Sequence, residues 1–392
     1  MTTTTRTATE IAAELEQVAL DVNLGAVRAF CERTGRKAVG HLPVYAPREI
    51  IEAAGMLPVG VVGGGDQIEI IRGDAYYQSY ICQIPRSVVE MGLTGRLDVL
   101  EGMLFPAICD VIRNLSGVWQ LLFPEKLCRY VDVPQNFDWD TGGRFYVHEL
   151  QEIGRALTER SGIEATDERL RAAIVLRNEN RRLLRELYDL RAEHPHLVPT
   201  AEAYVAVRAG HQLPVEEHSR RLREYLDAAR VSGRPERDQA RVVLVGSFCE
   251  QPPLGLLKTL ERAGCYLVDD DLLLGDRFLT ADVAETGDPW EALARAYLEH
   301  SAHTASRYVP EEEKGRYLID QCRSRGAEGV VFCAASFCDP ALLEQPMLQA
   351  ALERAGIQHT SFRFSENTAQ FQSIHEQAGT FSDSIRLWSA ER

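Results

Sequence analysis

Lys37-Ala-Val-Gly-His-Leu42, Pro47-Arg-Glu-Ile-Ile-Glu-Ala-Ala-Gly55 and Leu57-Pro-Val-Gly-Val-Val62 follow one another near the start of the chain. The first and third are short apolar runs of buried-strand length, and the third is closed by Gly63-Gly64-Gly65. The middle run has Pro near its start and Gly just past its end, the asymmetry of a helix. Strand, helix and strand in that order predict two parallel strands joined by a crossover helix, since parallel neighbours cannot be joined by a tight turn.

The same alternation continues outward from this unit. Arg96 to Leu104 is strand-like, Ala107 to Leu122 has helical apolar spacing, and Cys128 to Val133 is another strand. A second set opens with the buried strand Arg241-Val-Val-Leu-Val-Gly246. It continues with a helix over Leu254 to Ala263, a strand over Cys265 to Asp269, a helix over Glu312 to Arg323 and a strand over Gly329 to Cys333. A helix over Gln345 to Ala355 and a strand over Ile357 to Phe364 complete it. Between the two sets, residues 146–235 are rich in Glu, Arg, Leu and Ala with helical periodicity, as in Arg169 to Leu190, and their charge runs read as solvated helix faces. The expected fold is α/β: two Rossmann-like domains, each a doubly wound parallel sheet, with a helical insert. The expected divisions are an N-terminal helix in 1–25, a first α/β domain in 26–150, a helical connector in 151–235 and a second α/β domain in 236–392.

The 392 residues exceed one ordinary core, and 45% hydrophobic with 26% charged residues is globular composition. A net charge of −15 argues against a nucleic-acid partner, which requires clustered Lys and Arg to displace counterions. It leaves room for a local basic pocket that takes a phosphorylated ligand. The opening residues form an amphipathic helix around Glu10 to Leu20 with no apolar core and cleavage site, and no apolar run is long enough to span a bilayer. A cytoplasmic protein with no membrane partner is expected.

Common catalytic fingerprints are missing. The sequence has no G-x-x-x-x-G-K-[ST], no G-x-S-x-G, no H-E-x-x-H and no C-x-x-C, and the three glycines at 63–65 do not extend to G-x-G-x-x-G. A thiol-bound metal site would therefore be assembled from distant cysteines. The nine cysteines form an odd set in a long chain, which reads as reduced thiols and not as a disulfide framework. Cys31, Cys128, Cys265 and Cys322 sit in regular runs and read as small buried hydrophobes.

Three others sit in turn-like settings: Cys82 in Tyr80-Ile-Cys82-Gln-Ile-Pro85-Arg86-Ser87, Cys109 in Phe105-Pro-Ala-Ile-Cys109-Asp110, and Cys338 in Ser336-Phe-Cys338-Asp339-Pro340. Cys109 and Cys338 each follow a strand and open a helix. That places them at the carboxyl edge of a sheet, where doubly wound domains hold their ligands and where a helix N-terminus favours a thiolate. If the two domains face each other across a cleft, the three thiols converge. Spacing alone leaves them as structural thiols or as ligands.

These segments resemble the 2-hydroxyglutaryl-CoA dehydratase and benzoyl-CoA reductase family. The likeness rests on Pro47 to Pro58, the Cys-x-x-x-Arg-Ser run at 82–87, Cys109-Asp110, and Phe337-Cys-Asp-Pro340 with Glu344 and Pro346 following. More specific runs are Gly64-Gly-Asp66, Arg72-Gly-Asp-Ala-Tyr-Tyr-Gln-Ser-Tyr80, Asp110-Val-Ile-Arg-Asn-Leu-Ser116, Gly246-Ser-Phe-Cys-Glu-Gln-Pro-Pro253 and Gly379-Thr-Phe-Ser-Asp-Ser-Ile385. Within the family these are most similar to the smaller cluster-bearing subunit, the C-type subunit, of the class I, ATP-dependent reductases.

The resemblance implies that Cys82, Cys109 and Cys338 bind the iron of a [4Fe–4S] cluster in the cleft between the domains. It implies an oxidoreductase subunit that helps convert benzoyl-CoA, or a ring-substituted analogue, to cyclohexa-1,5-diene-1-carbonyl-CoA. The implied partners are a paired cluster-bearing subunit, two ATP-hydrolysing subunits carrying ATP and a further cluster, and reduced ferredoxin as electron donor. The alternatives are a 2-hydroxyacyl-CoA dehydratase component, or an electron-relay or structural subunit. Three thiolates leave one iron of such a cluster without a protein ligand. Cys333 ends a strand and reads as packed, while Cys249, in Ser-Phe-Cys-Glu, lines the site without being assigned as a ligand. His41, Tyr45 and Glu250 are catalytic candidates beside Arg86, Asp110 and Asp339, and each also reads as a cap, turn or ion-pair residue. Arg72, Arg86 and Arg113 are candidates for coenzyme A phosphates. Asp269-Asp270-Asp271 reads as a solvated loop.

Overall fold

A computed structural model describes residues 6–307, 313–365 and 371–390. It begins with α1 (Ala8–Ala19) and α2 (Gly25–Thr34), followed by β1 (Ala38–His41), α3 (Arg48–Ala53), β2 (Leu57–Gly60), α4 (Gln83–Leu93), β3 (Leu100–Pro106), α5 (Asp110–Leu122) and β4 (Leu127–Val131). The helical segment is α6 (Arg144–Ser161), α7 (Asp167–Glu193), α8 (Thr200–Arg208) and α9 (Val215–Arg230). The second sheet region holds β5 (Ala240–Val245), α10 (Leu254–Arg262), β6 (Cys265–Asp270), α11 (Leu274–Arg277), α12 (Pro289–His300), α13 (Arg316–Ser324), β7 (Gly329–Ala335), α14 (Asp339–Arg354), β8 (Gln358–Phe364) and α15 (Phe371–Ala390).

Two four-stranded sheets result, ordered β2-β1-β3-β4 and β6-β5-β7-β8. Every pairing is parallel. The expected α/β architecture is therefore present, with helices packed around both sheets. In each sheet the chain steps outward from the first strand to the second, then crosses back to place the third on the other side of the first. The order thus reverses between β1 and β3 and between β5 and β7, and the loops leaving those strands border a crevice at the carboxyl edge. The central strands β1 and β7 are fully buried, and β3 and β5 are buried but for one residue each near their starts, as strands covered on both faces must be.

Several local expectations need correction. Strand β3 starts at Leu100 and not Arg96, because Gly95 takes a left-handed φ of 76° and Arg96 N–H returns to the Met91 carbonyl, closing α4. Helix α14 starts at Asp339, with Pro340 in its first turn, and runs on through Pro346. The helix expected from Glu312 is described from Arg316 on, and Glu312 lies outside the described residues.

The charged helices are not uniformly solvated. Arg177, Arg181 and Arg191 of α7 are buried. Arg177 pairs with Glu52 at 2.6 Å, Arg181 with Glu49, and Arg191 with Asp270 at 2.6 Å. Nor is the acidic run a solvated loop: Asp269 and Asp270 are buried in β6, with Asp270 also bound by Tyr188 and Arg277 and Asp269 by Arg325. Helix α1 packs on α8 and α9, and α3 packs on α7, so the helical segment braces the first sheet. Apolar side chains from both sheets and the helical segment join in one large core, and a smaller one on the second sheet holds Val243, Val268, Leu318, Val330 and Leu352.

Candidate metal centre

Cys82, Cys109 and Cys338 share one local role: each is the residue immediately before a helix, at the N-caps of α4, α5 and α14. The sulfur of Cys109 faces the backbone N–H groups of Val111 and Ile112, and that of Cys338 faces the N–H of Ala341. Free helix-terminal N–H groups thus point at two thiols, where they favour negative charge. Cys109 leaves the first sheet at β3 and Cys338 leaves the second at β7, so both stand at the strand-order reversals. Cys82 reaches the same edge at the end of the long segment after β2. That segment is pinned to α4 by Glu90, whose carboxylate accepts from the backbone N–H groups of Ile71 (2.9 Å), Arg72 (2.5 Å) and Gly73 (2.9 Å). Gly73 is packed so closely that a Cβ there would meet the Arg86 carbonyl oxygen.

The three thiols are brought together across the two sheets. Cys82 is coupled electrostatically to Glu250, Cys338 and Cys109. Cys249, two residues past the Gly246-Ser247 turn after β5, faces Cys338, Cys109, Cys82 and Glu250. A direct hydrogen bond crosses the cleft, from Gln83 N–H to Glu250 Oε1 at 2.9 Å. Burial first, and then the neighbouring thiols and carboxyls, push the four thiols upward, Cys338 to about 12. Burial likewise raises the Glu250 carboxyl to about 7, against the opposing pull of Gln83 N–H and Cys82. Its second oxygen, Oε2, is buried and meets no hydrogen-bond partner.

Among the described residues, no three His, Cys, Asp or Glu side chains come close enough to hold one metal ion. A single ion requires all its ligands on one centre, whereas a polynuclear cluster spreads its thiolates over several irons. Neighbouring half-buried and buried thiols that do not converge on one point suit the second kind of centre better than the first. Thiols this close would repel one another as free anions, and iron cations would relieve that repulsion.

The other candidates separate clearly. Tyr45 is buried, with its hydroxyl bonded to Thr304 Oγ1 at 2.5 Å and facing Cys249. His41 is not brought to the thiols: its Nδ1 bonds to the Leu42 carbonyl at 3.1 Å, and its charged neighbours are Arg48, His211 and Asp276. Burial holds it neutral, with its pKa lowered to about 3. Arg86 pairs with Asp74 at 3.0 Å and lies near Glu250. Asp110 and Asp339 are exposed in the first turns of α5 and α14. Arg72 and Arg113 are exposed, Arg72 bonding to the Leu93 carbonyl and Arg113 lying over Tyr130. Cys333 is buried in β7, and Cys265 and Cys322 are packed elsewhere.

Asp271 carries no sequence signal beyond the acidic run, yet it fixes the turn that bears Cys249 and Glu250. Its carboxylate accepts from Gly246 N–H at 2.7 Å and Ser247 N–H at 3.0 Å. A cavity of about 350 Å³ opens beside this turn, bordered by Val245, Phe248, Asp271, Leu274, Tyr317 and Leu348.

The family model for the 2-hydroxyglutaryl-CoA dehydratase D-component matches residues 43–385. The chain is 52% identical over 382 residues to the C-type subunit of benzoyl-CoA reductase from Thauera aromatica, covering 97% of this chain and 99% of the relative. It is 28% identical over 355 residues to the (R)-phenyllactyl-CoA dehydratase beta subunit of Clostridium sporogenes, covering 90% and 93%. It is equally 28% identical over 355 residues, with the same coverage, to the beta subunit of (R)-2-hydroxyglutaryl-CoA dehydratase from Acidaminococcus fermentans. Among the described residues, no helix is long and apolar enough to cross a membrane.

Proposed function

The chain belongs to the 2-hydroxyglutaryl-CoA dehydratase D-component family, and from that membership we propose that it is the iron–sulfur subunit of an ATP-dependent benzoyl-CoA reductase. In this reading it takes part in reducing benzoyl-CoA, or a ring-substituted analogue, to cyclohexa-1,5-diene-1-carbonyl-CoA. It acts with a paired cluster-bearing subunit and two ATP-hydrolysing subunits that receive electrons from reduced ferredoxin. The observation that carries the reading is the convergence of Cys82, Cys109 and Cys338, each at a helix N-terminus, across the two sheets. The 52% identity to a reductase subunit against 28% to dehydratase subunits favours the reductase over the dehydratase reading.

The chemistry sets the requirements. Adding an electron to an aromatic ring destroys its delocalisation, so the donor must be strongly reducing. The conjugated thioester eases this, because its carbonyl oxygen accepts part of the charge. Bound by the three cysteines, a [4Fe–4S] cluster supplies single electrons at low potential. The chain's own residues do the rest. Cys82, Cys109 and Cys338 bind as thiolates, favoured at Cys109 and Cys338 by the N–H groups that face them. Cys338 is buried and Cys82 and Cys109 are half-buried, so water must be kept from so reducing a centre in part by the paired subunit. Glu250, whose carboxyl burial raises to about 7, is suited to take up and give a proton beside the thiols, and we assign it to proton delivery. Tyr45, held by Thr304 and Ser306, shapes the wall beside Cys249.

Iron and acid-labile sulfide are measured on anaerobically purified protein. About four irons per chain are expected in wild type, lost in Cys82→Ala, Cys109→Ala and Cys338→Ala but retained in Cys333→Ala. Iron-free wild type after anaerobic reconstitution sinks the cluster reading. Turnover of a 2-hydroxyacyl-CoA in place of benzoyl-CoA by the assembled complex replaces the reductase with a dehydratase.

A further inference from the structure

Building on the reductase reading, we propose that the face onto which the three thiols open is the seat of the paired cluster-bearing subunit. It is held by an apolar stripe on α14 and by a basic side chain of that subunit that meets Asp110 and Asp339. This chain does not close off the thiols by itself: Cys338 is buried, but Cys82 and Cys109 are half-buried. Their neighbours in the chain are apolar and open. Phe337, just before Cys338, is 48% exposed, and Tyr80, two residues before Cys82, is 63% exposed. Phe337 also holds a φ of 67°, a left-handed conformation that a bulky residue adopts only at a cost. The turn is kept by Ser336 N–H on the Phe364 carbonyl (2.7 Å) and Cys338 N–H on the Ala335 carbonyl (3.1 Å). Asp339, Leu343 and Met347 are spaced four apart on α14 and so form one stripe, along which Leu343 is 74% and Met347 47% exposed. Leu348 and Leu352 of the same helix are buried in the smaller core of the second sheet. Helix α14 is thus apolar on two faces and covered on one, whereas a surface helix keeps its outer face polar.

The charges on this face decide what covers it. Asp110 and Asp339 are exposed in the first turns of α5 and α14, and both bear electrostatically on the Cys109 sulfur. Among the described residues, neither carboxylate has an ion-pair or hydrogen-bond partner. Two carboxylates beside thiolates set like charge against like, and a cation from a partner relieves it. A second copy of this chain is a poor match, because its net charge is −15 and its own face carries the same two carboxylates. Exposed Phe, Tyr, Leu and Met suit a permanent contact better than a transient one. A strongly reducing centre also needs its cover between electron deliveries. Both points favour the paired subunit over the ATP-hydrolysing ones.

The test uses the full-length chain, purified anaerobically, alone and in the complex with its paired subunit. Amide hydrogen exchange compares the two states of the wild type. Sedimentation reads assembly of the wild type, of the double variant Leu343→Glu with Met347→Glu, and of Val231→Glu, an exposed apolar position just past α9. In the complex, exchange at residues 80–82 and 337–347 should slow by about tenfold or more. The double variant should assemble about tenfold or more weakly at unchanged iron content, and Val231→Glu should assemble as wild type. If the double variant does not fold, the exchange comparison on wild type carries the test. Protection confined to other faces, or a double variant that assembles normally, overturns the assignment. So does protection of this face by self-association of the chain alone, or protection that appears only when the ATP-hydrolysing subunits are added. A chain that neither holds iron nor joins a paired subunit overturns the reductase reading itself, a different failure read before any exchange is measured.

Discussion

Asp271 shows how a single side chain governs the site without touching it. Burial raises its carboxyl from 3.8 to about 7, while the N–H groups of Gly246 and Ser247 pull the other way. A carboxyl whose folded pKa is raised contributes stability that is complete below the unfolded value and is lost as pH rises through the folded one. Thermal stability of the wild type should therefore fall as pH rises from about 4 to about 7. Asp271→Asn, which cannot ionise, should lose much of that dependence, as calorimetry at several pH values would detect. An equally steep fall in the variant would place the dependence elsewhere. The places of Cys109 and Cys338 were legible at this scale because each stands between a recognisable strand end and a helix start, whereas Cys82 entered only through the family resemblance of its motif. Cys249 was legible only as a neighbour of the site, since its proximity to Cys338 depends on the pairing of strands far apart in the sequence.

At the scale of elements, local patterning located most strands and helices, because short apolar runs and Pro-then-Gly boundaries report directly on burial and termination. It failed where a distant partner decides the outcome. The arginines of α7 look like a solvated face until Glu49, Glu52 and Asp270 arrive from other elements. The segment 66–81 was legible as a distinctive motif but not as a structure, since what orders it is Glu90 on the following helix. Burial raises the Glu90 carboxyl, yet the N–H groups of Gly73, Ile71 and Arg72 more than offset this and leave its pKa lowered. Glu90→Ala should release this segment: amide hydrogen exchange at residues 71–73 should speed up by tenfold or more, since roughly 1.4 kcal/mol is a factor of ten and several charge-assisted hydrogen bonds are lost. Unchanged exchange there would show that other contacts hold the segment. Iron retention by the same variant should also weaken, because Cys82 ends this stretch.

Across the whole molecule, a buried charged brace links the first sheet region to the second. Arg48 of α3 pairs with Asp276 of α11, and His211 reaches the same carboxylate at 2.6 Å. Despite burial, His211 and Arg48 hold the Asp276 carboxyl well below the usual carboxylate range. Asp276→Ala strands a buried guanidinium, which should cost about 3 to 5 kcal/mol in denaturant unfolding. A loss under ~1 kcal/mol, the value typical of an exposed pair, would mean that water reaches Arg48. The two-sheet plan was visible in the repeated alternation of strands and helices. The attachment of α1 to α8 and α9 was not, because an amphipathic helix announces that it packs but not against what.

The division of the thiols between the two sheets also bears on how the molecule is made. Cys82 and Cys109 emerge early in synthesis, whereas Cys338 follows only after the helical segment and most of the second sheet. A chain still on the ribosome, or one cut short, offers two thiols and a half-built wall. On the proposed cluster reading, iron delivered then would find no stable seat, so loading would follow completion of the second sheet, and a loaded centre would mark a chain folded that far.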